Sequence, residues 1–324
     1  MSKLTHIRHE FKPFRYPWAY EAWLAHEQAH WLHTELPFHE DVNDWNNKLD
    51  EDKKRFLTHI FRFFTQSDID VAGAYVKNYL PVFPQPEIRM MLLGFGAREC
   101  IHIAAYSHLI ETLGLPETTY NEFMKYKEMR DKHDYTLNFI NKDKHTVAQQ
   151  MAVFSAFTEG LQLFSSFILL LNFTRNGYMK SMGQIITWSI ADEDMHVEAI
   201  TKLFRTFIEE NIEIWTDELK SEIYIIAKRM VELEDAFIDL AYGISNDMFG
   251  LTKTDVKQYI RYIADRRLIS LGMKGVFKVK KNPLPWVEEM INAPTHTNFF
   301  ENRATDYAKG ALSGDWEDVW GAAA

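Results

Sequence analysis

Residues 154–171 read Phe-Ser-Ala-Phe-Thr-Glu-Gly-Leu-Gln-Leu-Phe-Ser-Ser-Phe-Ile-Leu-Leu-Leu. Phe154, Phe157, Leu161, Phe164, Phe167 and Leu171 recur every three to four residues, the period of one helix face. One carboxylate, Glu159, sits inside this apolar run. Working outward, Ile185, Trp188, Met195 and Ala199 keep a similar period. Proline interrupts helices, and none of the 10 prolines falls between Pro116 and Pro283. No alternating stretch of any strength is present, and Asn176-Gly177 separates two helical patterns. The reading is all-α, with helices near 18–33, 52–78, 87–113, 118–135, 147–175, 178–209, 215–245 and 253–272. Leu80-Pro-Val-Phe-Pro-Gln-Pro86 is a rigid helix-to-helix connector. Residues 1–290 are expected to form one helical domain. Residues 291–324 are expected to form a flexible, acidic tail whose Trp316, Val319 and Trp320 anchor on a partner.

Composition narrows the function. The chain has 324 residues, 46% of them hydrophobic, so it can bury a sizeable core. Its 36 Lys and Arg against 46 Asp and Glu leave a net charge of −10, which argues against nucleic-acid and anionic-membrane surfaces. A single cysteine, Cys100, excludes a disulfide framework, a zinc ribbon and intramolecular dithiol chemistry. The N-terminus has no apolar signal region, and the longest apolar runs fall short of about 20 residues. A soluble cytoplasmic protein is expected.

Carboxylates and histidines carry the chemistry. Glu and His three apart on a helix project from one face and can reach one metal ion. Glu27/His30, Glu99/His102 and Glu193/His196 have this spacing, although 26 Glu and 13 His would give roughly one such pair by chance. Context separates them. Asp68 precedes Glu99 by 31 residues and Glu159 precedes Glu193 by 34, each on the preceding helix. A lone carboxylate, a helix hairpin and Glu-x-x-His therefore occur twice, the pattern of dimetal bundles. Phe63, Phe64, Phe95, Phe164, Phe167 and Ile190 make the surroundings apolar, where unpaired charge is costly. Four carboxylates balance two divalent cations, and oxygen ligands with two imidazoles suit iron or manganese. His26-Glu27-Gln28-Ala29-His30 matches the zinc metalloprotease helix, with Glu27 as would-be base. The longer form of that motif needs glycine and histidine where this chain has His33 and Leu36, so the match is read as accidental.

Glu99-Cys-Ile-His102-Ile-Ala-Ala-Tyr106 resembles the Glu-x-x-His-x-x-x-Tyr of the class I ribonucleotide reductase small subunit, a member of the ferritin-like superfamily. Phe63-Phe-Thr-Gln-Ser-Asp68, Ala191-Asp192-Glu193-Asp-Met-His196 and Asn282-Pro-Leu-Pro-Trp286 are similar to three further segments of that family. Trp31, fourteen residues before Trp45, and Tyr307 stand where the family has a relay tryptophan and a tail tyrosine. The resemblance runs from about residue 20 to the end. It implies a ferritin-like bundle in which Asp68, Glu99, His102, Glu159, Glu193 and His196 bind two metal ions that activate dioxygen. Two irons are favoured, with manganese or a mixed pair served by the same ligands. Tyr106 would hold a stable radical, relayed through His102, Asp192 and Trp31, and then Tyr307, to a large subunit that reduces ribonucleoside diphosphates. That large subunit must supply the cysteine pair this chain lacks. The resemblance further implies a homodimer and, in some members, a flavoprotein or ferredoxin activator. A ligand-binding dimetal oxidase or a metal-storage bundle would share the ligands but would have no use for Tyr106 and Tyr307 together.

Overall fold

The computed structural model describes residues 3–136, 143–245 and 248–291, and every regular element among them is helical. The helices are α1 (Pro17–Gln28), α2 (His39–Asn43), α3 (Glu51–Ala74), α4 (Pro86–Thr112), α5 (Thr118–Asn121), α6 (Lys127–Thr136), α7 (Lys144–Ala152), α8 (Phe164–Arg175), α9 (Lys180–Glu210), α10 (Asp217–Ile244), α11 (Lys253–Ser270) and α12 (Pro285–Ile291). Their ends follow local chemistry. The Asp50 carboxylate accepts the Lys53 amide at the start of α3, 2.8 Å away. Thr216 does the same for α10, and Thr252 with Asp255 forms a capping box at α11. Pro86 occupies the first turn of α4, where a missing N–H costs nothing.

Two helix hairpins build the centre: α3 with α4, and α7–α8 with α9. The second hairpin turns at Gly177, at φ +87°. Its arms approach so closely that a Cβ on Gly183 would lie 2.2 Å from Thr174 Oγ1. Helices α10 and α11 close the bundle from outside, packing on each other and on the middle of the second hairpin.

Three expected helices differ from the sequence reading. The helix expected over 18–33 stops at Gln28, because Arg98 donates to the carbonyls of His26 (2.8 Å) and Ala29 (3.2 Å). Freed from the helix, the chain turns inward and buries Trp31. The helix expected over 118–135 breaks into α5, a tight turn at Phe123–Lys125, and α6. Phe123 buries itself there, and Tyr126 is extended with its ring 4.3 Å from that of His59. The helix expected over 147–175 begins earlier, where Asp143 accepts the Thr146 amide at 3.0 Å. It runs unbroken from Lys144 to Arg175, but Val153–Gln162 is wound in the wider π form.

This helix also corrects the expectation that no segment reaches spanning length. Its 32 residues are long and apolar enough to cross a membrane, yet its most apolar window is wholly buried, which makes it the core helix of the bundle. Two cations reach backbone carbonyls of the π segment. Arg267 Nε donates to Gly160 O (2.9 Å), close enough that a Cβ on Gly160 would lie 2.7 Å from it. Lys132 Nζ donates to Gln162 O (2.8 Å).

Lys132 is fully buried, paired with Glu234 at 2.5 Å and placed over the rings of Phe63 and Phe237. Removing one partner strands a charge in the core. Lys132→Met is therefore expected to cost about 3–5 kcal/mol in denaturant unfolding, and the double variant Lys132→Met/Glu234→Leu to recover at least half of that loss.

Candidate metal centre

Each half of the centre comes from one hairpin. Helix α3 carries Asp68 and α4 carries Glu99 and His102. The π segment carries Glu159, and α9 carries Glu193 and His196. All six are at most 1% exposed. Their atoms form two groups, Asp68–Glu99–His102 and Glu99–Glu159–Glu193–His196, with the ligand atoms of each within 4.8 Å of one another. The groups share Glu99. Its Oε2 is 3.2 Å from His102 Nδ1 and its Oε1 is 3.3 Å from His196 Nδ1. Glu193 spans the same two rings, 3.6 Å from His102 Nδ1 and 3.5 Å from His196 Nδ1.

This donor set fits two cations. Asp68 Oδ2, Glu99 Oε1, Glu159 Oε2, Glu193 Oε2 and His196 Nδ1 are buried without a hydrogen bond among the described residues. Stranded polar atoms are costly unless something charged fills the space between them. Burial, with the charge of Glu99, pushes Asp68 up to about 7. Burial also raises Glu159 and Glu193. Burial alone would lower His102 and His196, yet the carboxylates around them hold both well above the ordinary range. Glu99 is the exception: burial works to raise it, but the two imidazoles outweigh burial and bring it down to about 2. Without metal, the cluster neutralises itself with protons that a cation would displace.

The outer shell is built around Asp192. Its Oδ2 is 3.1 Å from His102 Nε2 and accepts from Trp31 Nε1 at 2.7 Å, while its Oδ1 accepts from Arg98 at 2.5 Å. The Trp31 ring stacks on His102 with centroids 5.8 Å apart. Burial opposes ionisation of Asp192, but His102 and Arg98 hold its carboxyl well below the usual carboxylate range. Tyr106 is buried beyond His102, and its hydroxyl donates to Ser189 Oγ at 3.0 Å. Burial first, and then the charge of Asp68, push its phenol well above its ordinary range. Tyr307, Trp316, Val319 and Trp320 lie outside the described residues.

The structure adds three residues that the motif reading missed. Tyr75, fully buried, donates to Glu159 Oε1 at 2.6 Å. Its signal was available, since it follows Asp68 by seven residues and so returns to the same helix face. Arg98 is hidden next to Glu99. His26, first residue of the zinc-protease match, touches His196 at 3.1 Å, whereas Glu27 and His30 of that match are exposed. The three side chains of the protease match do not converge on one point, because α1 ends at Gln28 and His30 lies beyond it. At the late signature, Asn282 Oδ1 accepts the Leu284 amide at 2.8 Å and Trp286 lies under Arg175.

Residues 8–283 match the family described as ribonucleotide reductase, small chain. This chain belongs to that family. A probable ribonucleoside-diphosphate reductase small subunit from invertebrate iridescent virus 6 is 50% identical over 97% of each chain. Among solved structures, the ribonucleotide reductase R2 subunit from Clostridium botulinum superposes with a TM-score of 0.80 at 20% identity, covering 88% of this chain and 91% of that one. The dimanganese(II)-NrdF of Streptococcus sanguinis superposes with a TM-score of 0.77 at 21% identity, covering 88% and 99%. The fold is thus the all-α, ferritin-like bundle of the small subunit. As a ribonucleotide reductase small chain, the protein is one part of an oxidoreductase whose other part is a large subunit.

Cation binding to the native state alone should stabilise it. Metal-free protein given Mn(II) about 100-fold above the dissociation constant is expected to gain about 2.7 kcal/mol per site, on the order of 5 °C or more in Tm. EDTA should reverse the rise, and Glu99→Ala/Glu193→Ala should abolish it in a thermal melt.

Proposed function

We propose that the six buried ligands hold two ions of iron or manganese, and that the chain generates and stores a tyrosyl radical for the large subunit. The convergence of Asp68, Glu99, His102, Glu159, Glu193 and His196 around two stranded sets of donor atoms carries this reading. When bound, the ions supply the activation of dioxygen and the oxidising power. The protein's own residues do the rest. Tyr106 would lose one electron and its hydroxyl proton together to the oxidised centre that the ions and dioxygen supply, and its burial keeps water and reductants from the radical. Ser189 orients the phenol.

The continuous contact of His102, Asp192 and Trp31 supports a relay out of the centre. Asp192 accepts from both neighbours through the same oxygen and remains anionic, which holds His102 Nδ1 toward the ions. Trp31 packs on Trp188 at 5.1 Å, at the edge of the bundle core. Tyr307 is the proposed next stop, and the tail from 291 onward, with Trp316, Val319 and Trp320, the proposed anchor on the large subunit.

A homodimer is part of the same reading. Ile69 of α3, Val76 in the π-wound turn Tyr75–Tyr79 that follows it, and Leu93 of α4 are 47%, 57% and 53% exposed, and Ala97 and Cys100 continue the α4 stripe. Such a face suits a second copy of the chain across a two-fold axis. Hard oxygen donors with imidazole serve iron and manganese alike, so the need for a flavoprotein or ferredoxin activator goes with whichever metal is loaded. The free thiol of Cys100 is in keeping with a reducing cytoplasm.

Aerobic metal loading is expected to give an organic radical in electron paramagnetic resonance that is lost in Tyr106→Phe. A full signal in that variant would move the radical elsewhere, with Tyr75 as the first place to look. Truncation after Ser313 is expected to leave the radical intact while weakening binding to the large subunit at least tenfold in a pull-down or interferometry titration. Unchanged affinity would remove the tail from the interface.

A further inference from the structure

His26 is where α1 meets the metal centre, and the ligand set makes no use of it. Its Nε2 lies 3.1 Å from His196 Nε2, on the side of the ring away from the carboxylates. His196 Nδ1 points the other way, 3.3, 3.6 and 3.5 Å from Glu99, Glu159 and Glu193. His102 is arranged alike, with Nδ1 toward Glu99 and Nε2 toward Asp192. Two ring nitrogens this close share one proton, one nitrogen donating and the other accepting. An ion on His196 Nδ1 leaves Nε2 to carry the hydrogen, so His26 Nε2 must be the acceptor.

We propose that His26 is a positioning residue that fixes the tautomer and ring plane of His196, and thereby the second ion's site, as Asp192 does for His102 at the first. This inference rests on the dimetal reading above.

Its own surroundings fix His26. Its ring meets the edge of Phe95 at 4.9 Å, and only 1% of it is exposed, so water does not compete for Nε2. Arg98 Nη2 holds its backbone carbonyl at 2.8 Å, while Nη1 of the same guanidinium holds Asp192 at 2.5 Å. One arginine, next to the shared ligand Glu99, thus sets the position of both outer partners. His26 Nδ1 is buried without a hydrogen bond among the described residues. Leucine or phenylalanine would fill the space without stranding that group, so packing alone does not account for an imidazole.

The test separates the two sites. Asp68→Asn leaves the second group of ligands, and Glu159→Gln leaves the first. Each background is combined with His26→Leu and His26→Gln and titrated with Mn(II), free ion being measured by electron paramagnetic resonance. In the Asp68→Asn background, His26→Leu is expected to weaken binding about 10–100-fold, and His26→Gln, whose amide oxygen can accept, to recover most of it. In the Glu159→Gln background neither change should alter the affinity. Unchanged affinity in the Asp68→Asn background overturns the inference. So does equal weakening in both backgrounds together with a lower metal-free Tm, the mark of a structural role. Wild-type protein that takes up fewer than two Mn(II) ions overturns the dimetal reading itself, and this inference with it.

Discussion

Four carboxylates share the middle of a core lined with aromatic and aliphatic side chains, and their mutual repulsion in a medium of low polarity is the constraint around which the rest is organised. No single helix could hold four such groups at one point. Two hairpins each bring up half of the charge, and one carboxylate from each, Glu99 and Glu193, faces both histidines. The imidazoles, and the protons they attract, relieve part of the repulsion, and two cations would relieve the remainder. The neighbours then do the positioning: Asp192 and His26 behind the histidines, Tyr75 on Glu159, and Arg98 tying the outer layer to the backbone of α1.

Legibility in the sequence followed the kind of interaction involved. Helix content and the second hairpin were readable because periodicity and the absence of proline between Pro116 and Pro283 are local signals, and the first hairpin because Pro81, Pro84 and Pro86 mark its turn. The cluster of candidate ligands was readable because Glu-x-x-His is a spacing on one helix, and its repetition with Asp68 and Glu159 at matching distances lifted it above chance. His26, Arg98 and Ser189 were not readable in this way. Each acts across elements distant in the chain, and an arginine next to a ligand gives no sign of which carbonyls it will meet. The early end of α1 follows from the same blindness, since the donor that stops it comes from α4. The π winding at 153–162 also leaves no trace in the apolar period, because its widened turns depend partly on Arg267 and Lys132 arriving from outer helices.

Division of labour between subunits follows from composition as much as from geometry. A chain with one cysteine has no dithiol to spend on a ribose, and that cysteine lies on an exposed helix face rather than in a pocket. The bundle is suited instead to enclosure, with the candidate radical residue and both candidate metal positions out of reach of solvent. Trp31, Asp192 and His102 lie in one unbroken line of contacts, the line along which the proposed relay would carry charge out of such a site.

The helix from Lys144 to Arg175 has a further consequence for how the chain is made. Between His145 and Arg175 its only ionisable side chain is Glu159. As this stretch leaves the ribosome, before its partners exist, it has the length and composition of a segment that an insertion machinery would accept. A carboxylate at the centre of such a segment penalises insertion by about 2.5–3.5 kcal/mol on a translocon scale. Glu159, a candidate metal ligand of the folded bundle, is thus also the one charge in this stretch that opposes its entry into lipid before α9 and α10 cover it.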